Sequence, residues 1–403
     1  MPYTPQTWSD NNATYPLSAA RMSVIELGVQ QAQSTAEAAA VGTVPLDSFS
    51  GATDSQKFTN ALAYQAAQTY KAPIRFPART VTLQGPFLVP DGMCLVGPQI
   101  EREYSATSTF WNNEPSCLVQ ATSTGSYFFG MNGSAGTVTY NGSWLIQGIQ
   151  FRTSQASLDW LQPYTSYPSP VLALATFRDF GLVGFRKPIH ALLQACDFSN
   201  FHIQNSGDVA LNLSGSDSNI GTLGGHQYID NCGVNLPSVQ LRLDASVVSG
   251  LYITPTAAGC AVRVDGGGGT RFIGNNFDSA AQNGPTAMCK GALVQLRGGV
   301  TVWSATRLFG CMYDAATADG GTAQNKGYFT ATGGKHVIVG AHFMNGTDRS
   351  SSDYTPAGTP HVYATSAVGN VSVAGLWASD ALVLKHATAG KIVTDMSAYL
   401  TVG

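Results

Sequence analysis

The sequence predicts an all-β solenoid, a parallel β-helix, entered through a short helical segment. Three observations predict it. Short β-type runs recur loosely at 144–151, 177–185, 197–205, 224–231, 247–254, 270–278, 306–314, 336–344 and 371–379. Most carry an apolar pair, a Gly or small residue, then an alternating apolar and polar pair, and Gly, Ser, Asn and Asp turns separate them. The segments between them show no amphipathic helical period, so a βαβ arrangement is excluded and a solenoid with variable loops is favoured. Charge is scarce: Asp, Glu, Lys and Arg make up 11% of the 403 residues, against roughly 25% in a typical soluble domain. Stacked parallel strands favour such a surface, because like charges on adjacent strands repel. The rival fold is a β-sandwich, whose turn signals come every 8–12 residues or so without a shared register.

From about Ser18 to Ala40 the chain reads as a helix, with Met22, Ile25, Val29, Ala32, Ala36 and Ala39 at alternating three- and four-residue spacing. That is the seam of a coiled coil, although Gly28 weakens it and periodicity alone equally admits an amphipathic helix folded back on its own chain. Asp54 is the expected cap of a second helix, with Phe58, Leu62, Ala66 and Tyr70 as its apolar face and Pro73 as its stop. Short extended runs then lead to Gly97. The division expected is 1–43 as an attachment segment, 44–97 as capping helix and first coils, and 98–403 as solenoid body and C-terminal cap.

Inside a solenoid, inward side chains stack in columns. Aligning the repeats on their Gly puts Phe277, Tyr313 and Phe343 in one aromatic ladder, which fixes register. Seven Cys (94, 117, 196, 232, 260, 289 and 311) include no C-x-x-C pair, and they read as reduced, mostly buried thiols of a protein folded in a cytoplasm. The net charge of −3 gives no electrostatic reason to expect nucleic acid or an anionic membrane as partner. The N-terminus lacks a secretory signal pattern, and no apolar run is long enough to span a bilayer.

Two stretches resemble known families. Trp8-Ser9-Asp10, Leu17-Ser18-Ala19-Ala20-Arg21-Met22 and Ile25-Glu26-Leu27-Gly28-Val29 resemble the N-terminal segment of bacteriophage minor tail and tail-fibre proteins. Phe49 with Gly51-Ala52, Thr53-Asp54, Ala61-Leu62, Phe76-Pro77 and Leu95-Val96-Gly97 resemble the start of the pectate-lyase-like β-helix superfamily. There the usual Gly-Asp-Gly before Thr-Asp is absent, and Arg79-Thr80-Val81 stands where the family has Gly-x-Tyr. The resemblance implies a right-handed parallel β-helix preceded by an α-helical coiled-coil segment. It implies a homotrimer joined through the N-terminal helices, attached by that segment to other phage tail proteins. The implied location is the virion tail, and the implied partner is host cell-envelope polysaccharide.

β-helix depolymerases of this kind cleave glycans with paired carboxylates, about 5–9.5 Å apart in hydrolases. Asp278 and Asp314 follow Phe277 and Tyr313, so stacking would place them roughly 4.8 Å apart and would raise one pKa. The competing reading is a pair of turn aspartates capping strand ends. Glu101, Glu103 and Glu114, interleaved with Tyr104, Phe110 and Trp111, form a second acidic group that reads as sugar-binding or as a solvated loop. Trp111, Tyr252, Trp303 and Trp377 are candidate stacking platforms for sugars, or else core and subunit-seam residues. His336 and His342 share a strand parity but lack a third ligand, so no metal is expected. No G-x-S-x-G and no P-loop occurs, and no cofactor is expected. Three functions remain: a structural tail component that touches host glycans without cutting them, a glycan depolymerase, and a purely architectural tail protein. The residues themselves add little to the enzymatic reading.

Overall fold

A computed structural model describes residues 42–98, 117–133, 138–163, 169–220, 227–230, 236–255, 260–278, 292–309, 327–344, 360–365, 371–378, 382–386 and 392–394. The heptad positions Met22, Ile25, Val29, Ala32, Ala36 and Ala39 lie outside these residues. So do Glu101, Glu103, Trp111, Glu114 and Asp314.

Helix α1 spans Asp54–Ala67 and closes the start of the solenoid. Its cap is Thr53, one residue before the expected Asp54. The Thr53 hydroxyl accepts from the Gln56 amide at 3.2 Å, while the Gln56 side chain accepts from the Ala52 and Thr53 amides at 2.8 and 3.3 Å. This reciprocal box satisfies donors that a helix start otherwise leaves orphaned. Asp54 is thereby released for another task. Its carboxylate takes both Arg79 nitrogens at 2.9 Å and the Thr82 amide at 3.1 Å. Arg79 also reaches Asp47 at 2.8 Å. The arginine that departs from the superfamily pattern thus ties the helix to the first strands, and its hydrogen bonds hold the Asp54 carboxyl below its usual range.

The buried face of α1 is Phe58, Ala61, Leu62 and Gln65. Ala66 and Tyr70 are exposed: Gln65 rather than Ala66 takes the buried position of the last turn, and the helix ends at Ala67, before Tyr70. Phe58 packs against Phe87 and Phe76 at ring separations of 4.9 and 5.7 Å. Gln65 is fully buried, and its amide donates to the carbonyls of Ala72 and Cys94, both at 2.9 Å. A buried amide is tolerated there because its donors are satisfied.

All pairings among the described strands are parallel, and each strand pairs with its counterpart one coil on: 22 strands form two ladders of one sheet, 10 form a second sheet and 3 a short third. The core is stacked columns. In one ladder, Val119, Phe151, Leu182, Ile203, Ile229, Ile253, Phe277, Leu308 and Phe343 follow in register, all fully buried. In the other, Ile146, Phe177, Phe198, Ile220, Val248, Phe272, Trp303, Ile338 and Val373 do the same. The opposite sheet contributes Ile189, Leu211, Val239, Val262, Val294, Phe329 and Val362. Each such side chain stabilises the fold by about 1.5–3 kcal/mol relative to exposure, and rings in adjacent coils stack, as Phe177 on Phe198 at 5.0 Å.

The expected ladder needs one correction. The residue between Phe277 and Phe343 is Leu308, not Tyr313. The recurring Gly of the sequence marks a corner of positive φ between the two ladders, at Gly148, Gly250, Gly274, Gly340 and Gly375. In three coils another residue takes that corner: Asp179, Asn200 and Ala305. Asp and Asn adopt this backbone more readily than other side chains, and the Asn200 amide donates to Asp179 in the coil before. Aligning on Gly310 therefore misplaces the coil, since its corner is Ala305.

Cys94, Cys117, Cys196 and Cys260 are buried and form no disulfide with one another. Burial pushes the Cys94 and Cys117 thiols up to about 12. Among the described residues no helix is long and apolar enough to cross a membrane.

Candidate functional site

The inward column Ile253–Phe277–Leu308–Phe343 determines what faces out. Successive strand residues point to opposite faces, so the residue before each inward one belongs to an outward column. Its register runs Tyr252, Asn276, Arg307, His342, Trp377 across five strands. At roughly 4.8 Å per coil, the two end positions stand about 19 Å apart along the solenoid. Tyr252 and Asn276 are half-buried, whereas Arg307, His342 and Trp377 are exposed. Trp377 is 49% exposed, and its ring meets the His342 imidazole at 5.7 Å and 46°. The Tyr252 hydroxyl donates to Asp278 Oδ2 at 3.0 Å.

The column therefore has an aromatic ring at each end with an amide, a guanidinium and an imidazole between them. Flat rings offer an apolar face, while the three polar groups offer donors at fixed spacing on rigid strands. Such a strip matches an extended polymer carrying both C–H faces and hydroxyls. Upstream the same column is closed: the ring of buried His202 lies over Gly181, where a side chain would collide with it.

Of the sequence candidates, Tyr252 and Trp377 are brought into one column. Trp303 is not part of it. It is fully buried, stacks on Phe272 at 3.7 Å and 3°, and donates Nε1–H to the Thr301 hydroxyl at 2.8 Å. It is a core residue rather than a sugar platform. Asp278 is a buried strand residue, not a turn residue, and its neighbour one coil on is Phe309. The expected stacking of Asp278 with Asp314 paired Phe277 with Tyr313, whereas the register pairs Phe277 with Leu308, and Asp314 itself lies outside the described residues.

His336 and His342 are separated in the same way. His336 is buried: its Nε2–H donates to the Gly333 carbonyl at 2.6 Å, and its Nδ1 accepts from the Thr301 hydroxyl at 2.8 Å. Burial lowers its pKa. His342 faces outward on the next strand. Among the described residues no three His, Cys, Asp or Glu side chains converge on a metal position. Sequence reasoning missed Asn276 and Arg307. The signal that finds them is the apolar residue that follows each one, Phe277 and Leu308, rather than the Gly of the repeat.

No protein-family model matches the chain, and no curated protein matches it. Solved structures that resemble it include ORF18 of Geobacillus virus E2, at 14% identity and a TM-score of 0.42 over 87% of this chain and 64% of that one. An alginate lyase from a Paenibacillus species aligns at 13% identity and 0.38, over 87% of this chain and 99% of that one. The tailspike protein of Acinetobacter baumannii phage AM24 aligns at 12% identity and 0.36, over 88% of this chain and 55% of that one. The chain thus spans just under two thirds of the length of the first, and at these identities no residue role passes from those proteins to this one.

Proposed function

We propose that this protein is a structural component of a phage tail that contacts host cell-surface glycans during adsorption. The observation that carries the glycan contact is the outward column from Tyr252 to Trp377, a rigid strip with rings at both ends and donors between. The tail assignment is supported by the resemblance of residues 8–29 to minor tail and tail-fibre proteins. The same resemblance and the heptad seam from Met22 to Ala39 support a homotrimer attached to other tail proteins through residues 1–43. Asp278 is engaged by Tyr252 and has Phe309 as its in-register neighbour, so among the described residues no second carboxylate stacks on it.

The test is binding of the full chain to immobilised host envelope polysaccharide. Trp377→Ala is expected to weaken binding about tenfold, the loss of roughly 1.4 kcal/mol. Unchanged binding in the Tyr252→Ala, Trp377→Ala double variant would remove the column from consideration. A full-length monomer in solution would sink the trimer.

A further inference from the structure

Arg307 stands at the middle of the outward column, between Asn276 and His342. It is exposed, and its guanidinium makes no hydrogen bond or ion pair with any described residue. That sets it apart from Arg79, Arg186 and Arg263, each of which meets a carboxylate. Among the described residues, the carboxylates Asp278, Asp265 and Asp244 of the neighbouring coils are committed elsewhere. Asp278 is fully buried and accepts from Tyr252. Asp265 accepts from Gln240 and Arg263, and Asp244 accepts from the Gly268 amide. Among the described residues, the exposed cations Arg271 and Lys335 lie on the adjoining ladder of the same sheet, and Arg242 lies on the opposite sheet. Among the described residues, this face thus carries a guanidinium with no carboxylate partner, on a chain of net charge −3.

We propose that this face takes an acidic saccharide, with the Arg307 guanidinium bound to an anionic group of a sugar held between the Tyr252 and Trp377 rings. The proposal rests on the glycan-contact reading above and names its substrate class. A guanidinium presents paired donors that match the two oxygens of a carboxylate or phosphate. Its place on a strand fixes where along the polymer the charge must fall. His342, one coil on, adds a second donor beside it.

The experiment measures binding of the full chain to three probes: a hyaluronan tetrasaccharide, the same tetrasaccharide with its carboxylates reduced to alcohols, and pentamannosyl phosphate. Native probe is expected to bind at least tenfold more tightly than reduced probe, and less tightly as salt rises. Arg307→Gln is expected to remove that difference. Tighter binding of the phosphate probe than of native hyaluronan assigns the anion as phosphate, and the reverse assigns carboxylate. Equal binding of all three probes, or an Arg307→Gln variant that still prefers an acidic one, overturns the proposal. If Trp377→Ala weakens all probes equally in that case, the glycan face stands and only its charge preference falls. If no probe binds and Trp377→Ala changes nothing, the glycan reading falls as well.

Discussion

Trp303 and Trp377 occupy neighbouring ladders of the same sheet, yet one is fully buried and the other half exposed. His336 and His342 divide in the same way. The difference is strand parity. In each ladder alternate residues enter the core, so a step of one residue exchanges a packing role for a surface role. Residue type carries no information about which role is taken. The inward set fixes register and stability, and the outward set is free to vary with what it touches.

The largest expected effect breaks this comparison directly. Trp303→Ala should cost about 3–5 kcal/mol, read as a lower urea midpoint, while Trp377→Ala should stay within about 0.5 kcal/mol of the parent. Equal losses would mean that the parity assignment is wrong. Next in size is Gly181→Ala, which sets a methyl against the His202 ring and should cost about 1–3 kcal/mol by overpacking. The equivalent change at Asn276, in the open part of the same column, should cost less.

A smaller contrast concerns two arginines. Arg79→Ala removes ion pairs to Asp47 and Asp54 and should cost about 1 kcal/mol, since partly exposed pairs contribute little each. Arg307→Ala removes none and should leave the melting temperature unchanged.

The smallest effect is on pH dependence. Burial lowers the His336 pKa in the folded state. The folded value then lies below the unfolded one, about 6.5, so stability is complete above that pH and declines as pH falls below it. His190, also lowered by burial, acts in the same direction. Urea midpoints measured near neutral pH and about two pH units lower should differ less in His336→Gln than in the parent.

Much of the fold was legible in the sequence, for identifiable reasons. The Gly corners at 148, 250, 274, 340 and 375 are visible because positive φ favours glycine. The corners at Asp179, Asn200 and Ala305 are not, and the missing signal at Ala305 puts Tyr313 where the register has Leu308. The helix was placed correctly, but its cap and buried face were each displaced. Asp54 and Gln65 take partners distant in sequence, which leaves the cap to Thr53 and puts a polar side chain on the buried face. Of the site, Tyr252 and Trp377 were singled out as rings without any indication that they share a column.

The sequence by itself determined a stacked β architecture, since alternating apolar runs separated by turn residues and poor in charge have few other ways to bury their surface. It also placed the closing helix ahead of the first strands. Only the tertiary structure decided which ring faces water, which arginine is paired and which aspartate stands beside which residue. Those outcomes depend on register between coils that are distant in sequence, and register follows from how the columns pack together rather than from any local run of the chain.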